Sequence, residues 1–521
     1  EMRIAARRFS SFITTPIFYA NGPPHLGHLF TCVVSDAFHR WRVLSSPSSS
    51  HVFSTGTDEH GAKIARTARE RGMSAEELCD ETSESFRRLL SHFDIQHSHF
   101  IRTTEQRHAE AASEMWLRLS SSGYIKKGSY RGWYSTVDEC FYSDDEVNEC
   151  GELGKPRKVS KETGSAVEWL EEENYVFTLS EFYEPIQKWL STADVIRPKQ
   201  FLPIALSYLR PNEELSISRD SRRLSWGIPV PGDSSQTMYV WLDALVNYLT
   251  VVGFPSKEPH PWPPIHIIGK DILKFHAVYW PAFLLAAGMR LPSKLFVHGH
   301  WLVNGSKMSK SVGNIIEPFS IAEQLTEEGV RYFLLKQGAP HSDSNFEIVN
   351  AIHAINSDLV NNVANLVSRA TVRRLNPNQE YPEHSSGFYL EGAAPLIHSI
   401  SQLASRVQPF FDELLFYKGI EEIMAVAKEA NGFFQFHSPW KLAEGEKLSS
   451  VLYLTYESAR ICSLLLQPIA PRLATHSLAR LGIPLHSRGL DSCFFGAARR
   501  DGIKHLGPEG EVYMKRLQLP K

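Results

Sequence analysis

The chain has 521 residues, 42% hydrophobic and 22% charged, with 29 Phe and 11 Trp, enough apolar material for sizeable cores and, at ordinary domain sizes, about three or four domains. A formal net charge of only -3 means that bulk charge gives no sign of a nucleic-acid partner, so any basic surface must be local. No run of about 18 consecutive apolar residues occurs, which excludes an obvious membrane-spanning helix, and six scattered cysteines without a CxxC pair exclude a disulfide framework and fit a reducing compartment.

At the start, Arg3, Arg7 and Arg8 among Ser and Ala read either as the remnant of an organellar transit peptide or as a solvated tail before the first strand. The β-branched, apolar stretch Ser11 to Tyr19 predicts a strand, stopped at Asn21-Gly22-Pro23-Pro24, with a long helix beginning near His28. This is the strand, tight turn and helix start of a doubly wound nucleotide-binding sheet. His51 to Ser54 predicts a second strand running into Gly56. Residues from about 120 to 235 break the alternation with short polar strands and turns such as Tyr130-Arg131-Gly132-Trp133-Tyr134, and read as an insertion. Alternation resumes at His266 to Gly269 and at Leu295 to Gly299, with a short buried helix at Phe283 to Ala287 between Pro281 and Gly288. From about 350 to 475 the pattern is amphipathic and helical, interrupted by a Pro-rich break at Pro377 to Pro382.

Two short motifs carry the chemistry. Pro24-His25-Leu26-Gly27-His28 falls where the first strand meets the first helix. A helix N-terminus favours phosphate, imidazoles there can donate hydrogen bonds, and Gly27 removes a side chain where adenine or ribose would pack. Taken alone, two histidines at such a turn are as well explained as helix caps. Lys307-Met308-Ser309-Lys310-Ser311 follows Asn304-Gly305 and precedes Gly313-Asn314. Two ammonium groups around a flexible turn suit a polyphosphate whose charge builds during adenylyl transfer. The second motif lies after the first and directly beyond a predicted strand at the far end of the sheet.

The pair resembles the HIGH-like and KMSKS signatures of class I aminoacyl-tRNA synthetases. The segments Phe18 to Gly22, Thr55 to Gly61, Tyr239 to Ala244 and Gly269 to His276 are similar to those of the methionyl-tRNA synthetases specifically, and the similarity runs from about residue 12 to at least 470. The resemblance implies an α/β fold: a Rossmann-like doubly wound parallel sheet split by a connective insertion, then an α-helical bundle that binds the anticodon. It divides the chain into 1–119 and 236–320 as the two catalytic halves, 120–235 as the insertion, 321–350 as a stem-contact linker, 351–475 as the helical domain and 476–521 as an extension.

It further implies that methionine and ATP form methionyl-adenylate and that the acyl group passes to tRNA(Met). His25, His28, Lys307 and Lys310 would be catalytic, with Gly27, Gly269 and Asp271 completing the ATP site. Mg2+ would accompany ATP as a charge partner without a dedicated cage. The methionine pocket would comprise Ile17 through its backbone, Tyr19, Asp58 as counter-charge to the ammonium, Trp241, Ala244, Tyr248, Ile272 and His276. Aromatic contacts suit a polarizable thioether, although Trp241 and Tyr248 read without the resemblance as core aromatics. Asn361, Asn365 and Arg369, spaced i, i+4 and i+8 on one helix face, and Trp440 would read the CAU anticodon by edge hydrogen bonds and stacking. The alternative is that both Asn residues pack the bundle and Trp440 is core.

One departure stands out. Many relatives carry a zinc knuckle in the insertion, but here Ser135 and Asp138 stand where the first CxxC would be, and Cys140 and Cys150 offer no second pair. The expectation is therefore no metal site and no structural zinc. With the Thr14-Thr15-Pro16-Ile17-Phe18-Tyr19 stretch and the Arg-rich start, this resembles the animal mitochondrial form: a monomer in the mitochondrial matrix, or alternatively the cytoplasm. A synthetase for a small apolar amino acid would need a larger editing insertion. A small nucleotidyltransferase would not explain the helical region with Trp440. A non-enzymatic RNA-binding paralogue would have lost His25, His28 and Lys310.

Overall fold

The computed structural model describes residues 10–135, 140–150, 157–161, 163–308, 313–383, 390–510 and 513–519. Its centre is a seven-stranded parallel sheet. Across it run Ile196–Arg197, Lys294–His298, Ile265–Gly269, Ser11–Thr14 and His51–Asp58. The stretch expected to be one strand from Ser11 to Tyr19 is two, Ser11–Thr14 and Phe18–Tyr19. Pro16 has no N–H to give the ladder, so the chain leaves the sheet there and rejoins it. Both pieces lie on one edge of His51–Asp58: the carbonyls of Ser54 and Asp58 accept from Thr15 and Ala20, whereas those of Phe53 and Thr57 accept from Ser98 and Thr103 on the side of His99–Arg102.

Alternate residues of the central strands feed different cores, as a sheet covered on both faces requires. Ile13, Ile267 and Phe296 join the core beneath the helix Leu26–Ser45, while Ile268, Leu295 and Val297 join the one shared with the helices Val240–Thr250 and Trp280–Ala286. The core under Leu26–Ser45 continues without a break into the C-terminal helices. There the sequence builds Ile348–Ala354, Ala393–Asp412, Phe416–His437, Glu446–Leu466 and Pro471–Arg480.

Polar contacts weld the junction. Arg331 is buried and donates to Asp36 at 2.6 Å and to the carbonyls of Phe93 and Pro468. The buried Glu328 carboxyl group accepts from the backbone N–H groups of Arg472 and Leu473 at the start of Pro471–Arg480, a helix cap supplied from about 145 residues earlier in the chain. Trp41 donates its indole N–H to Asp412 at 2.8 Å.

The insertion reads as an antiparallel sheet: Ile125–Ser135 pairs with Glu168–Phe177 over ten residue pairs, longer than the short strands expected. Its chain also supplies Ile196–Arg197 to the edge of the main sheet. Beyond Arg480 the polypeptide folds back over the bundle. Tyr381 and Leu506 exchange backbone hydrogen bonds with Lys504 and Gln379, and Asn356 clamps the backbone of Leu517 from both sides at 2.9 and 2.8 Å.

Candidate active site

The helix Leu26–Ser45 starts at a histidine cap, slightly ahead of the expected His28. His25 Nδ1 accepts from Gly27 N–H at 3.1 Å, and His28 Nδ1 accepts from His25 N–H at 3.2 Å, a reciprocal capping box made of two imidazoles. The rings stack with centroids 3.7 Å apart. Because each Nδ1 is an acceptor, the ring proton of the neutral form sits on Nε2, which makes Nε2 the donor nitrogen of both imidazoles. Capping and phosphate binding, the two alternatives for this motif, are therefore compatible: each ring uses a different nitrogen. Gly27 is needed for the geometry, since a Cβ there would lie 2.9 Å from His25 Cε1.

A cleft of about 390 Å³ opens at the carboxyl ends of the strands, between Ser11–Thr14 and Ile265–Gly269, where the strand order reverses. It gathers every described residue expected to hold ATP or methionine: His25, Gly27, His28, Gly269, Asp271 and Lys307, together with Ile17, Tyr19, Asp58, Trp241, Ala244, Tyr248, Ile272 and His276. Lys310 lies outside the described residues. Lys307 is presented by a hairpin, Trp301–Val303 with Ser306–Lys307, whose turn residues Asn304 and Gly305 both have positive φ, 50° and 74°, as a two-residue turn of this kind requires. Lys307 Nζ and His300 Nε2 each stand 3.5 Å from a different oxygen of Asp271.

Deep in the cleft, His276 and Tyr248 form a proton-ordered, uncharged pair. His276 Nδ1–H donates to the Ile272 carbonyl at 2.9 Å, which leaves Nε2 to accept from Tyr248 O–H at 2.7 Å. Burial holds His276 down to about 4 and pushes the Tyr248 phenol up, so neither carries charge at neutral pH. Trp241 lies flat on Phe275, centroids 3.5 Å apart and planes within 7°. The carboxyl-bearing loop is anchored next door: buried Glu59 accepts from Thr57 at 2.6 Å and from Arg102 at 2.8 Å.

Several lining residues were not singled out in the sequence. His298, His300 and Trp301 line the cleft alongside Lys307. His298 is held neutral, to about 4, by burial, donates to the Gly299 carbonyl at 2.8 Å and pairs through Nε2 with Thr31 at 3.0 Å. Their signal was available: two histidines at the carboxyl end of a central parallel strand, directly before the lysine hairpin. Phe275 gave none, since its partner Trp241 is distant in sequence.

In the helical half, Arg369 and Trp440 come together. The Arg369 guanidinium sits 5.7 Å from the Trp440 ring centroid and 5.3 Å from that of Phe434, and donates to Gln435 at 3.1 Å. Trp440 is half-buried against the core, edge-on to Phe434. Asn361 is exposed but falls in a π-helical stretch, Ile355–Ala364, whereas Asn365 begins the α-helix Asn365–Ala370. A π turn takes more than four residues, so the simple i, i+4 alignment of Asn361 over Asn365 is relaxed there.

Ser135 is buried and registers opposite Cys140; Cys150 is exposed; Asp138 lies outside the described residues. Among the described residues there is no group of three or more His, Cys, Asp or Glu that could hold a metal ion, and no helix long and apolar enough to cross a membrane.

A parallel sheet with its cleft at the switch point, a histidine-capped first helix and a lysine hairpin beyond the last central strand are the arrangement of a class I aminoacyl-tRNA synthetase. Residues 11–371 match the family described as tRNA synthetases class I (M). The chain is 42% identical to the mitochondrial methionine–tRNA ligase of Homo sapiens, covering 97% of this chain and 90% of that protein. It is 43% identical to the probable mitochondrial methionine–tRNA ligase of Dictyostelium discoideum, covering 92% and 88%. The Mycobacterium tuberculosis methionyl-tRNA synthetase in complex with methionyl-adenylate matches with a TM-score of 0.89 at 35% identity, over 97% of this chain and 100% of that one. The chain belongs to the methionyl-tRNA synthetase family and is a methionine–tRNA ligase.

Proposed function

We propose that this enzyme charges tRNA(Met) in the mitochondrial matrix, with the two chemical steps in the cleft and anticodon reading in the helical half. The observation that carries the site assignment is the convergence on one cleft of two histidine donors at a helix N-terminus, a lysine hairpin and a neutral aromatic pocket. Mitochondrial placement is supported by the relatives in Homo sapiens and Dictyostelium discoideum. The residue divisions 1–119, 120–235, 236–320, 321–350, 351–475 and 476–521 are our working domain scheme, and the enzyme acts as a monomer.

In the first step the methionine carboxylate attacks the α-phosphate of ATP and pyrophosphate leaves. In the second, a ribose hydroxyl of the tRNA terminal adenosine takes the acyl group and AMP leaves. His25 and His28 donate from Nε2 to phosphate oxygens, and Lys307 and Lys310 neutralise charge as it builds toward the transition state. Asp271 binds the ATP ribose beside Gly269, where a Cβ would crowd the Asp271 carboxylate at 2.8 Å. Asp58 faces the substrate ammonium. Tyr19, Trp241, Ala244, Tyr248, Ile272 and His276 enclose the thioether, and the backbone of Ile17 lines its entrance. A neutral His276 and Tyr248 suit an uncharged side chain with a weak acceptor sulfur. Mg2+ enters on the phosphates of ATP, since this cation keeps its waters and binds by way of substrate phosphates.

Pyrophosphate exchange measured with each apolar amino acid tests the assignment: methionine alone should support fast exchange. Lys310→Ala should slow that exchange by about 10²-fold or more while leaving methionine affinity nearly unchanged, and equal losses in binding and rate would contradict its role. The insertion should carry no structural zinc. Purified protein should contain no stoichiometric zinc, and a chelator should leave activity and melting temperature unchanged. Stoichiometric zinc would mean that Asp138, Cys140, Cys150 or a histidine completes a site.

A further inference from the structure

Asp243 is 1% exposed, and both of its carboxylate oxygens are taken by histidines from other elements. His60 Nδ1–H donates to one at 2.6 Å, and His108 Nε2–H donates to the other at 2.7 Å. His108 comes from the helix Gln106–Ser121, and its second nitrogen pairs with Thr250 Oγ1 at 3.0 Å, so this fully buried ring grips the helix Val240–Thr250 at two points. An unpaired carboxylate so placed would be strongly destabilising. Here burial works against the charge, yet the two histidines hold the Asp243 carboxyl down to about 2, and Asp243 with Glu59 raises His60 despite its burial. The link is therefore a charged one, and the His60 ring also packs edge-to-face with Trp226, centroids 5.9 Å apart.

What this cluster joins is more informative than its strength. At 3.6 residues per turn, Trp241, Ala244 and Tyr248 fall within about 60° of one another on the helix Val240–Thr250 and face the cleft, while Asp243 and Thr250 lie on roughly the opposite side, within about 20° of each other. One face recognises and the other is held. His60, in turn, is two residues from Asp58, in the loop that follows the strand His51–Asp58. The two walls of the amino-acid site come from segments about 180 residues apart in sequence. The His60–Asp243 pair bonds one wall directly to the other.

We propose that Asp243 is a positioning residue for methionine recognition: gripped by His60 and His108, it sets the gap between the strand end bearing Asp58 and the helix face bearing Trp241, Ala244 and Tyr248. The inference rests on the methionine-site reading given under Proposed function. Methionine spans that gap, ammonium at one wall and thioether at the other, whereas ATP does not depend on it. Loosening the link should therefore act on methionine affinity selectively.

The experiment is steady-state pyrophosphate exchange on the full chain, with methionine varied at saturating ATP and ATP varied at saturating methionine. A displacement of about 1 Å can cost on the order of 10²-fold, so Asp243→Asn and His60→Ala should each raise the methionine KM about tenfold or more. The ATP KM should stay within about threefold, and kcat should fall much less than kcat/KM for methionine. His60→Gln, which keeps a side-chain donor for Asp243, should recover most of the loss. If Asp243→Asn does not fold, the His60 pair decides the matter alone. A methionine KM within twofold of wild type in folded His60→Ala, or equal rises for both substrates with no rescue by His60→Gln, overturns the proposal. Trp241→Ala separates the two levels of the reading: if it raises the methionine KM and the His60 and Asp243 variants do not, only the positioning role fails, and if it too leaves the KM unchanged, the methionine site itself is misassigned.

Discussion

His28→Asn should lower the rate of methionine-dependent pyrophosphate exchange by about 10²- to 10³-fold, the usual cost of removing one donor from a site of developing charge, while leaving the melting temperature nearly unchanged. The asymmetry follows from the use of the two ring nitrogens. His28 Nδ1 accepts the His25 N–H as part of the helix cap, and the asparagine carbonyl oxygen can take over that bond. Nε2, the donor assigned to phosphate, has no counterpart in asparagine. His28→Ala removes both functions and should add a modest fall in melting temperature to the same kinetic defect, since His28 is the N3 partner of the capping box whose N-cap is His25. Should His28→Asn retain full exchange activity, the histidine pair is a cap and nothing more.

Trp440→Ala should reduce tRNA charging efficiency about tenfold to a hundredfold, the range for one lost base–aromatic stack, with pyrophosphate exchange nearly untouched. Trp440 and Arg369 stand together in the helical half, apart from the cleft. Because Trp440 is half-buried against Phe434, truncation will also lower the melting temperature somewhat, so stability alone does not discriminate. Two comparisons do. Trp440→Phe keeps an aromatic face and should keep most of the charging activity. An altered tRNA anticodon should penalise the wild-type enzyme strongly and the alanine variant little more, since both changes remove one shared contact. Additive penalties in a folded variant would end the anticodon assignment for Trp440.

The sequence made the catalytic half unusually legible because its chemistry is local. A strand, an Asn-Gly-Pro-Pro turn and a histidine-capped helix are written within 20 residues of one another, and far along the chain the Asn304-Gly305 turn stands two residues before Lys307. What stayed hidden is what long-range packing decides. The break at Pro16 was visible as a proline, but that the chain would rejoin the same sheet edge depends on hydrogen bonds to Ser54 and Asp58, 38 or more residues away. The i, i+4 alignment of Asn361 and Asn365 assumed an α-helix, and the π stretch Ile355–Ala364 is not encoded in apolar spacing. His60, His108 and Asp243 look unrelated in sequence and meet only through the fold.

The helix Leu26–Ser45 is 20 residues long, hence about 30 Å, and it is fastened at three stations: His25 and His28 at its head, Asp36 to Arg331 in its middle, and Trp41 to Asp412 of the bundle near its foot. Mechanically it is a stiff spoke between the histidine-lined end of the cleft and the helical bundle. A spoke of that length turns a tilt of about 1° at the bundle end into a swing of about 0.5 Å at the histidines, half of the roughly 1 Å that matters for in-line attack. The placement of His25 and His28 is thus set in part by how rigidly Arg331 holds the middle of the helix and Asp412 its foot, about 15 and 20 Å along it from the histidines.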